Sequence, residues 1–280
     1  MRCLLTGPTG QVGWELAPRL AALGEVVALD RSALDLADAG AIRARVRDLR
    51  PDVIVNAAAY TAVDRAESEP DLAFAINGVA PGVLADEAKR LGALLVHYST
   101  DYVFDGTKEG AYVEDDATNP LSVYGRSKLE GERAIQASGC RQVILRTSWV
   151  YSGRGHNFLL TMLRLGAERP ELRVVGDQRG APTWARDIAE ATVQLLPGPP
   201  EGLFHLTAAG ATTWYDFACE IMRQAGLTPV IRRIRSAEYA TAARRPANSI
   251  LDNARLRATG FVMPAWEASL RRCVGEIRRR

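Results

Sequence analysis

Apolar positions in the first half of the chain follow two alternating rhythms. Short unbroken runs, CLLT (3–6), VVALD (26–30), DVIVNAA (52–58), ALLVHYST (93–100) and QVILRTSWV (142–150), read as strands. Between them, apolar residues recur every three or four positions in QVGWELAPRLAAL (11–23), AGAIRARVRDL (39–49), DLAFAINGVAPGVLADEAKRL (71–91) and LSVYGRSKLEGERAIQA (121–137), which read as helices. Pro81 should kink the third of these or mark a boundary in it. Continuous rather than alternating strands suit a parallel sheet covered on both faces. Repeated strand–helix units of this length predict an α/β fold, a doubly wound, Rossmann-type parallel sheet with right-handed crossovers.

After about residue 150 the rhythm breaks. HNFLLTMLRLGAE (156–168), TWARDIAEATVQLL (183–196) and TTWYDFACEIMRQAG (212–226) read as helices, LRVVGD (172–177) and GLFHLT (202–207) as short strands, and a last helix starts near Trp266. The expected division is a dinucleotide-type domain over 1–150, joined by returning segments at roughly 180–205, and a smaller α+β substrate lobe over most of 151–280. The stretch LPGPPEG (196–202) reads as a rigid surface loop.

Charge narrows the function classes. The formal net charge is +2 with acids and bases interspersed, so neither nucleic acid nor a membrane surface is indicated as a partner. No apolar run is long enough to span a bilayer, and MRCLLTG enters a strand directly rather than a secretion signal. The closing RRR reads as a solvated helix terminus. Cys3, Cys140, Cys219 and Cys273 are far apart, a pattern of reduced thiols in a cytoplasmic protein. His97, His156 and His205 show no metal-ligand spacing, and His97 and His205 fall in strand-like runs where a packed ring is expected. No metal is read from the sequence.

Two motifs carry chemistry. TGPTGQVG (6–13) places Gly7, Gly10 and Gly13 between a strand and a helix, where a pyrophosphate can approach backbone amides at a helix start. Its first two glycines are three apart, a variant of the usual dinucleotide fingerprint. Asp30, ending the second strand, suits the adenosine ribose hydroxyls, whereas Arg31 suits a 2′-phosphate, so NADH and NADPH both remain open. Asp35 either lines the adenine site or caps the following helix. The second motif is YGRSK (124–128), in which Tyr124 and Lys128 lie one helical turn apart on one face. Only three residues of the chain are Lys, and where a plain positive charge suffices it carries Arg. The spacing alone does not assign the pair a function and needs the company of other motifs, although a tunable ammonium near a phenol favours phenolate.

These motifs, with NAAAYTAVDRAE, STDYVFDG, RTSWVY, GAPTWA and ARRPANS in order along nearly the whole chain, resemble the extended short-chain dehydrogenase/reductases, and within them the dTDP-4-dehydrorhamnose reductases. The resemblance implies reduction of the C4 keto group of a dTDP-4-dehydro-β-L-rhamnose substrate with NADPH or NADH, or of another nucleotide 4-keto-6-deoxy sugar. It implies Tyr124 as general acid, Lys128 as its electrostatic partner and ribose ligand, and Thr100 polarising the substrate oxygen. For Thr100 a turn cap is the alternative. Asp101 contacts the sugar or holds the loop, and Asn77 completes the catalytic set through the main chain or is simply a solvated polar residue.

By the same resemblance Gln11, Val12, Leu36, Ala57, Ala58, Ala59, Tyr60, Thr61 and Tyr98 contact the cofactor. Trp149 packs on the sugar or is a core aromatic. Arg244, Arg245 and Asn248 bind the diphosphate or belong to solvated surface. Some members of the family pair around magnesium through carboxylates. Glu15 suits such a role, but Arg186 stands in the second region expected to help, which leaves a homodimer open without a metal. A reading from another class is a docking protein like the regulatory β subunit of methionine adenosyltransferase, which has no need to keep Thr100, Tyr124 and Lys128 together.

Overall fold

The computed structural model describes every residue except Pro199 and Arg280. Pro199, in the loop read as rigid, and Arg280, at the end of the basic terminus, lie outside the described residues. The chain opens with β1 (Arg2–Thr6), α1 (Gln11–Ala21), β2 (Glu25–Leu29), α2 (Ala39–Leu49) and β3 (Val53–Asn56). Short helices α3 (Val63–Ala66) and α4 (Pro70–Phe74) lead through a π-helical turn (Ala75–Val79) into α5 (Ala80–Leu91). Next come β4 (Leu94–Thr100), a 3-10 turn (Asp101–Val103), α6 (Val123–Ser138) and β5 (Arg141–Thr147). Beyond these lie β6 (Val150–Tyr151), α7 (Phe158–Glu168), β7 (Glu171–Val175), β8 (Arg179–Gly180), β9 (Thr183–Trp184), α8 (Ala185–Leu195) and β10 (Gly202–His205). The chain closes with β11 (Thr212–Thr213), α9 (Trp214–Ala225), β12 (Val230–Ile234), α10 (Ala254–Arg257) and α11 (Trp266–Ile277).

Six parallel strands in the order β10–β5–β4–β3–β1–β2 form the central sheet. Alternate strand residues supply two cores. Leu5, Val55, Val96 and Leu145 pack with Leu16 and Leu20 of α1 and Ile188 of α8 on one face. On the other, Leu4, Ile54, Leu95 and Ile144 meet Ile42 and Val46 of α2 and Leu84 and Ala88 of α5. Both faces are dry, which is why the strands read as unbroken apolar runs. Each such buried side chain contributes about 1.5–3 kcal/mol.

The strand order reverses between β1 and β3, so the carboxyl ends of these strands open onto one crevice, the usual ligand position in such sheets. After residue 150 the chain twice returns to this layer, through α8 against α1 and through β10 beside β5. A separate core of Leu159, Met162, Phe217, Ile221, Trp266 and Leu270 holds the second lobe.

One local expectation changes, one holds, and one strand has no counterpart among the predicted elements. The run 142–150 is not one strand, because Trp149 adopts a left-handed backbone (φ 49) and breaks it between β5 and β6. In the run 71–91 Pro81 marks the expected boundary: a π turn ends and α5 begins at Ala80, and the N–H that Pro81 lacks leaves the Asn77 carbonyl without its helical partner. β12 (VIRRI) is hidden in sequence by arginines on the exposed side, yet pairs in parallel with β7.

Candidate active site

The glycine turn is built by close approach. Gly7 has φ +66, and a Cβ there would lie 2.8 Å from both Cα and N of Ala58. A Cβ on Gly13 would lie 2.1 Å from the Gly7 carbonyl oxygen, so only glycine lets α1 start this near β1. Gly10 is the residue before α1, and no side chain caps it, which leaves the helix's first amides to a ligand. Gln11 does not face outward: its Oε1 accepts from Ser152 Oγ and Asn157 Nδ2, each at 3.0 Å. Val12 packs partly onto the core.

At the end of β2, Asp30 Oδ1 accepts from Ser32 N, Ser32 Oγ and Ala33 N, which shapes the turn and holds the carboxyl below its usual range, the Ser32 hydroxyl contributing most. Arg31 is exposed beside it, with its guanidinium 4.0 Å from Asp35. Two expectations here change. Asp35 binds Ala37 N in a local turn, and the cap of α2 is Asp38, which accepts from Ala41 N at 2.9 Å. Leu36 points into the core with Leu4 and Ile42, because a leucine gains more there than against a polar cofactor.

Past β3, Ala57, Ala58, Ala59 and Tyr60 are partly exposed and Thr61 is exposed. Asn77, on the π turn, is buried rather than solvated. Its Oδ1 accepts from Tyr60 N (2.9 Å), and its Nδ2 donates to Tyr60 O (3.0 Å) and to Ser127 Oγ (3.1 Å). Asn77 thus ties the loop after β3 to α6.

Thr100 closes β4 and does two things. Its Oγ1 accepts from Tyr102 N (3.2 Å), capping the 3-10 turn, and donates to Asp101 Oδ1 (3.0 Å). It also stands close enough to the Tyr124 phenol to pull that group's pKa downward. Ser122 caps α6 by accepting from Gly125 N (3.1 Å). A Cβ on Gly125 would lie 2.2 Å from Tyr102 O, so that glycine lets the first turn of α6, and Tyr124 with it, press onto the end of β4.

Lys128 is buried (2%) and its Nζ donates to Tyr98 O (2.6 Å) and lies 3.2 Å from His97 Nε2. Its ammonium is therefore held by β4 rather than by the phenol one turn away. Burial pulls Lys128 down to about 8. Burial also pushes the Tyr124 phenol up to about 12, against the downward pull of Thr100. The expected depression of Tyr124 does not occur here, since dehydration of a phenolate outweighs an ammonium engaged elsewhere. Asp101, 2% exposed, is pushed up to about 6 by burial.

Tyr98 is corrected as well: its ring lies in the core and its hydroxyl hydrogen-bonds with Thr192 on α8 (2.7 Å), so only its carbonyl faces the site. The sequence reading passes over His97 as a contributor. Its signal was there, since a histidine in a strand buried on both faces must find polar partners.

A cavity of about 930 Å³ opens from Tyr102, which meets Tyr124 edge-on at 5.5 Å, and runs between α7 and the loop after β12. Trp214 and Arg244 line it. Trp149 stacks on Trp214 (3.6 Å, 9°), and Gly180 leaves room for its indole. The other two polar candidates are committed elsewhere. Arg245 also borders the cavity, but its guanidinium pairs with both Asp64 oxygens (2.6 and 3.1 Å). Asn248 is buried and donates to Lys108 O and Gly110 O, pinning two loops. Far from this cavity, Glu15 accepts from Arg19 and Arg186, and Arg186 also bonds Glu276.

Comparison with known proteins follows the same outline. The family model described as the RmlD substrate binding domain matches residues 1–279. A dTDP-4-dehydrorhamnose reductase of Burkholderia thailandensis is 48% identical over 295 aligned residues, covering 99% of both chains. Among solved structures, a dTDP-4-dehydrorhamnose reductase of Clostridium acetobutylicum superposes with a TM-score of 0.97 at 38% identity, covering 99% of this chain and 100% of that one. The Bacillus anthracis reductase, solved in complex with NADP, gives 0.95 at 37%, covering 98% and 99%.

Proposed function

The chain belongs to the dTDP-4-dehydrorhamnose reductase family, and from that membership we propose how its own residues divide the work. It is an NAD(P)H-dependent oxidoreductase that reduces the C4 keto group of dTDP-4-dehydro-β-L-rhamnose to dTDP-β-L-rhamnose, the last step of dTDP-rhamnose synthesis. The glycine turn fits a dinucleotide: a Cβ would fill the cradle at Gly7 and Gly13, and α1 begins without a side-chain cap. Gly7, Gly10, Gly13 and the loop 57–61 would hold it, with Asp30 and Arg31 at the ribose end. Bound there, the nicotinamide supplies the hydride.

Tyr124 gives its proton to the substrate's C4 oxygen. A phenol raised to about 12 holds that proton at neutral pH, and the carbonyl oxygen, becoming an alkoxide, is the stronger base. The buried Lys128 ammonium stabilises the phenolate left behind. Thr100 donates to the same oxygen after turning its hydroxyl from Asp101. Trp149 and Trp214 present flat apolar faces to the sugar, and Arg244 supplies cationic charge for the diphosphate. No disulfide joins the four cysteines among the described residues, which fits a reducing compartment and the cytoplasm as the place of reaction.

The observation that carries this assignment is the convergence of Thr100 at the end of β4, Tyr124 in the first turn of α6 and the buried Lys128 one turn along that helix. The test is substrate-dependent oxidation of NADPH and, separately, NADH. Tyr124→Phe should lower kcat about 10³-fold and leave dinucleotide binding unchanged. A Tyr124→Phe enzyme that turns over normally would remove Tyr124 from the acid role.

A further inference from the structure

A file of four buried polar side chains crosses the sheet beneath the site. Thr6 Oγ1 on β1 donates to Asn56 Oδ1 on β3 (2.6 Å), Asn56 Nδ2 lies 3.0 Å from His97 Nδ1 on β4, and His97 Nε2 lies 3.2 Å from Lys128 Nζ on α6. All four are at most 2% exposed. Thr6 is the residue before the glycine turn, so the file joins the cofactor cradle to the ammonium of Lys128.

A neutral imidazole has one donor and one acceptor. If Lys128 is an ammonium, Nε2 must accept from it. The ring proton then sits on Nδ1, which requires the Asn56 amide turned from the orientation above, with its oxygen toward Nδ1 and its Nδ2 donating to Thr6 Oγ1. If Lys128 is neutral, Nε2–H can donate to the amine, and Nδ1 then accepts from the Asn56 amide. The charged form thus fixes the tautomer, whereas a neutral amine, which can also donate to Nε2, only permits the other one. A second positive charge on the ring is ruled out by its burial and by Lys128 itself, which both hold His97 well below its ordinary pKa.

We propose that His97, anchored through Asn56 to Thr6, is the positioning residue of Lys128: its neutral ring accepts from the ammonium, fixing where that charge sits and keeping it charged in a dry site. The inference deepens the reductase reading and rests on it for the role of Lys128. The other titratable and charged groups near Lys128 are Tyr124 and Glu132 on α6, Arg146 on β5, which is paired with Glu132 (2.7 Å), and Asp101 after β4. Glu132 and His97 both favour the ammonium, and of these two only His97 bonds it, beside the Tyr98 carbonyl.

The chain is well suited to the test because it has three lysines and three histidines. Lysine carrying ¹³C at Cε gives three titration curves, and long-range ¹H–¹⁵N spectra of the imidazoles give three tautomers, all without turnover. In the wild-type chain His97 should be the Nδ1–H tautomer below the Lys128 midpoint, near 8, and is free to take the Nε2–H tautomer above it. His97→Phe should lower that midpoint by about one pH unit, through loss of a bond to the charged form. The alkaline limb of kcat should fall at correspondingly lower pH. His97→Gln, whose amide oxygen still accepts, should restore both, whereas a merely space-filling role would leave the midpoint unmoved. An Nε2–H tautomer at pH 7, or an unchanged Lys128 midpoint in His97→Phe, overturns the proposal. The tautomer measurement stands even if His97→Phe does not fold. Absence of substrate reduction by the wild-type chain would sink the reductase reading while leaving both spectral results intact.

Discussion

At the residue scale, the site works by holding ionisable groups where water would have solvated them better. Asp101 shows the cost. Its carboxyl is raised from 3.8 to about 6, burial outweighing its bonds. Since the folded pKa lies above the unfolded one, the folded state loses stability as the group ionises. The penalty is absent below about 4, grows between 4 and 6, and is complete above 6, where it amounts to about 3 kcal/mol. Asp101→Asn should therefore be more stable than the parent by about 1–3 kcal/mol at pH 8 and no more stable at pH 4, in urea melts at the two pH values. Equal gains at both would assign the effect to packing instead. Lys128 carries the opposite sign for activity. Its ammonium is the useful form, so turnover should decline as pH rises through about 8. The sequence made residue types legible at these positions, because a Tyr and a rare Lys one turn apart stand out. It could not tell which way their environment pushes them. Burial decides that, and burial is a property of the packed site.

At the scale of elements, the placement of α6 follows from glycines and from one proline. Pro81 has no N–H, so the carbonyl of Asn77 four residues earlier loses its helical partner, and the chain takes up the mismatch as a π turn. That carbonyl is instead covered by α6, where a Cβ on Gly131 would lie 2.1 Å away. The same π turn aims the Asn77 side chain at Tyr60 and Ser127. A one-methyl change at Gly131 must therefore push α6 off the π turn. Gly131→Ala should cost about 2–3 kcal/mol, seen as a lower urea midpoint with unchanged slope, and should weaken turnover through Tyr124 and Lys128 on the same helix. The strands were legible because both of their faces are dry. The π turn and the break at Trp149 were not, because each is set by what another element presses against it. β12 escaped for a third reason: its exposed arginines hide a strand whose partner, β7, lies more than fifty residues earlier.

At the scale of the molecule, the loop after β12 is tied back to the segment after β3 by the pair of Asp64 and Arg245. Asp64 follows β3 in the first domain. It receives the Arg245 guanidinium and also the Ala243 amide (3.0 Å), so one carboxylate holds the loop that borders the cavity. The sequence alone offered Arg245 as a direct diphosphate ligand, and an arginine in a polar loop carries no mark that distinguishes a ligand from a clamp. The two roles separate experimentally. If Arg245 acts through Asp64, then Asp64→Ala and Arg245→Met should raise KM for the dTDP-sugar by similar factors, about tenfold, corresponding to a charged hydrogen-bonded pair of about 1.5 kcal/mol. The double variant should then be no worse than either single one, because each already breaks the same tie. Cofactor affinity should not change in any of the three. If Arg245 instead meets the diphosphate itself, Arg245→Met should weaken substrate binding far more than Asp64→Ala, and releasing the guanidinium from Asp64 should leave it available to the substrate. Arg244, exposed on the cavity and outside this pair, provides the internal comparison: its loss should raise KM in either case and should add to the effect of Asp64→Ala.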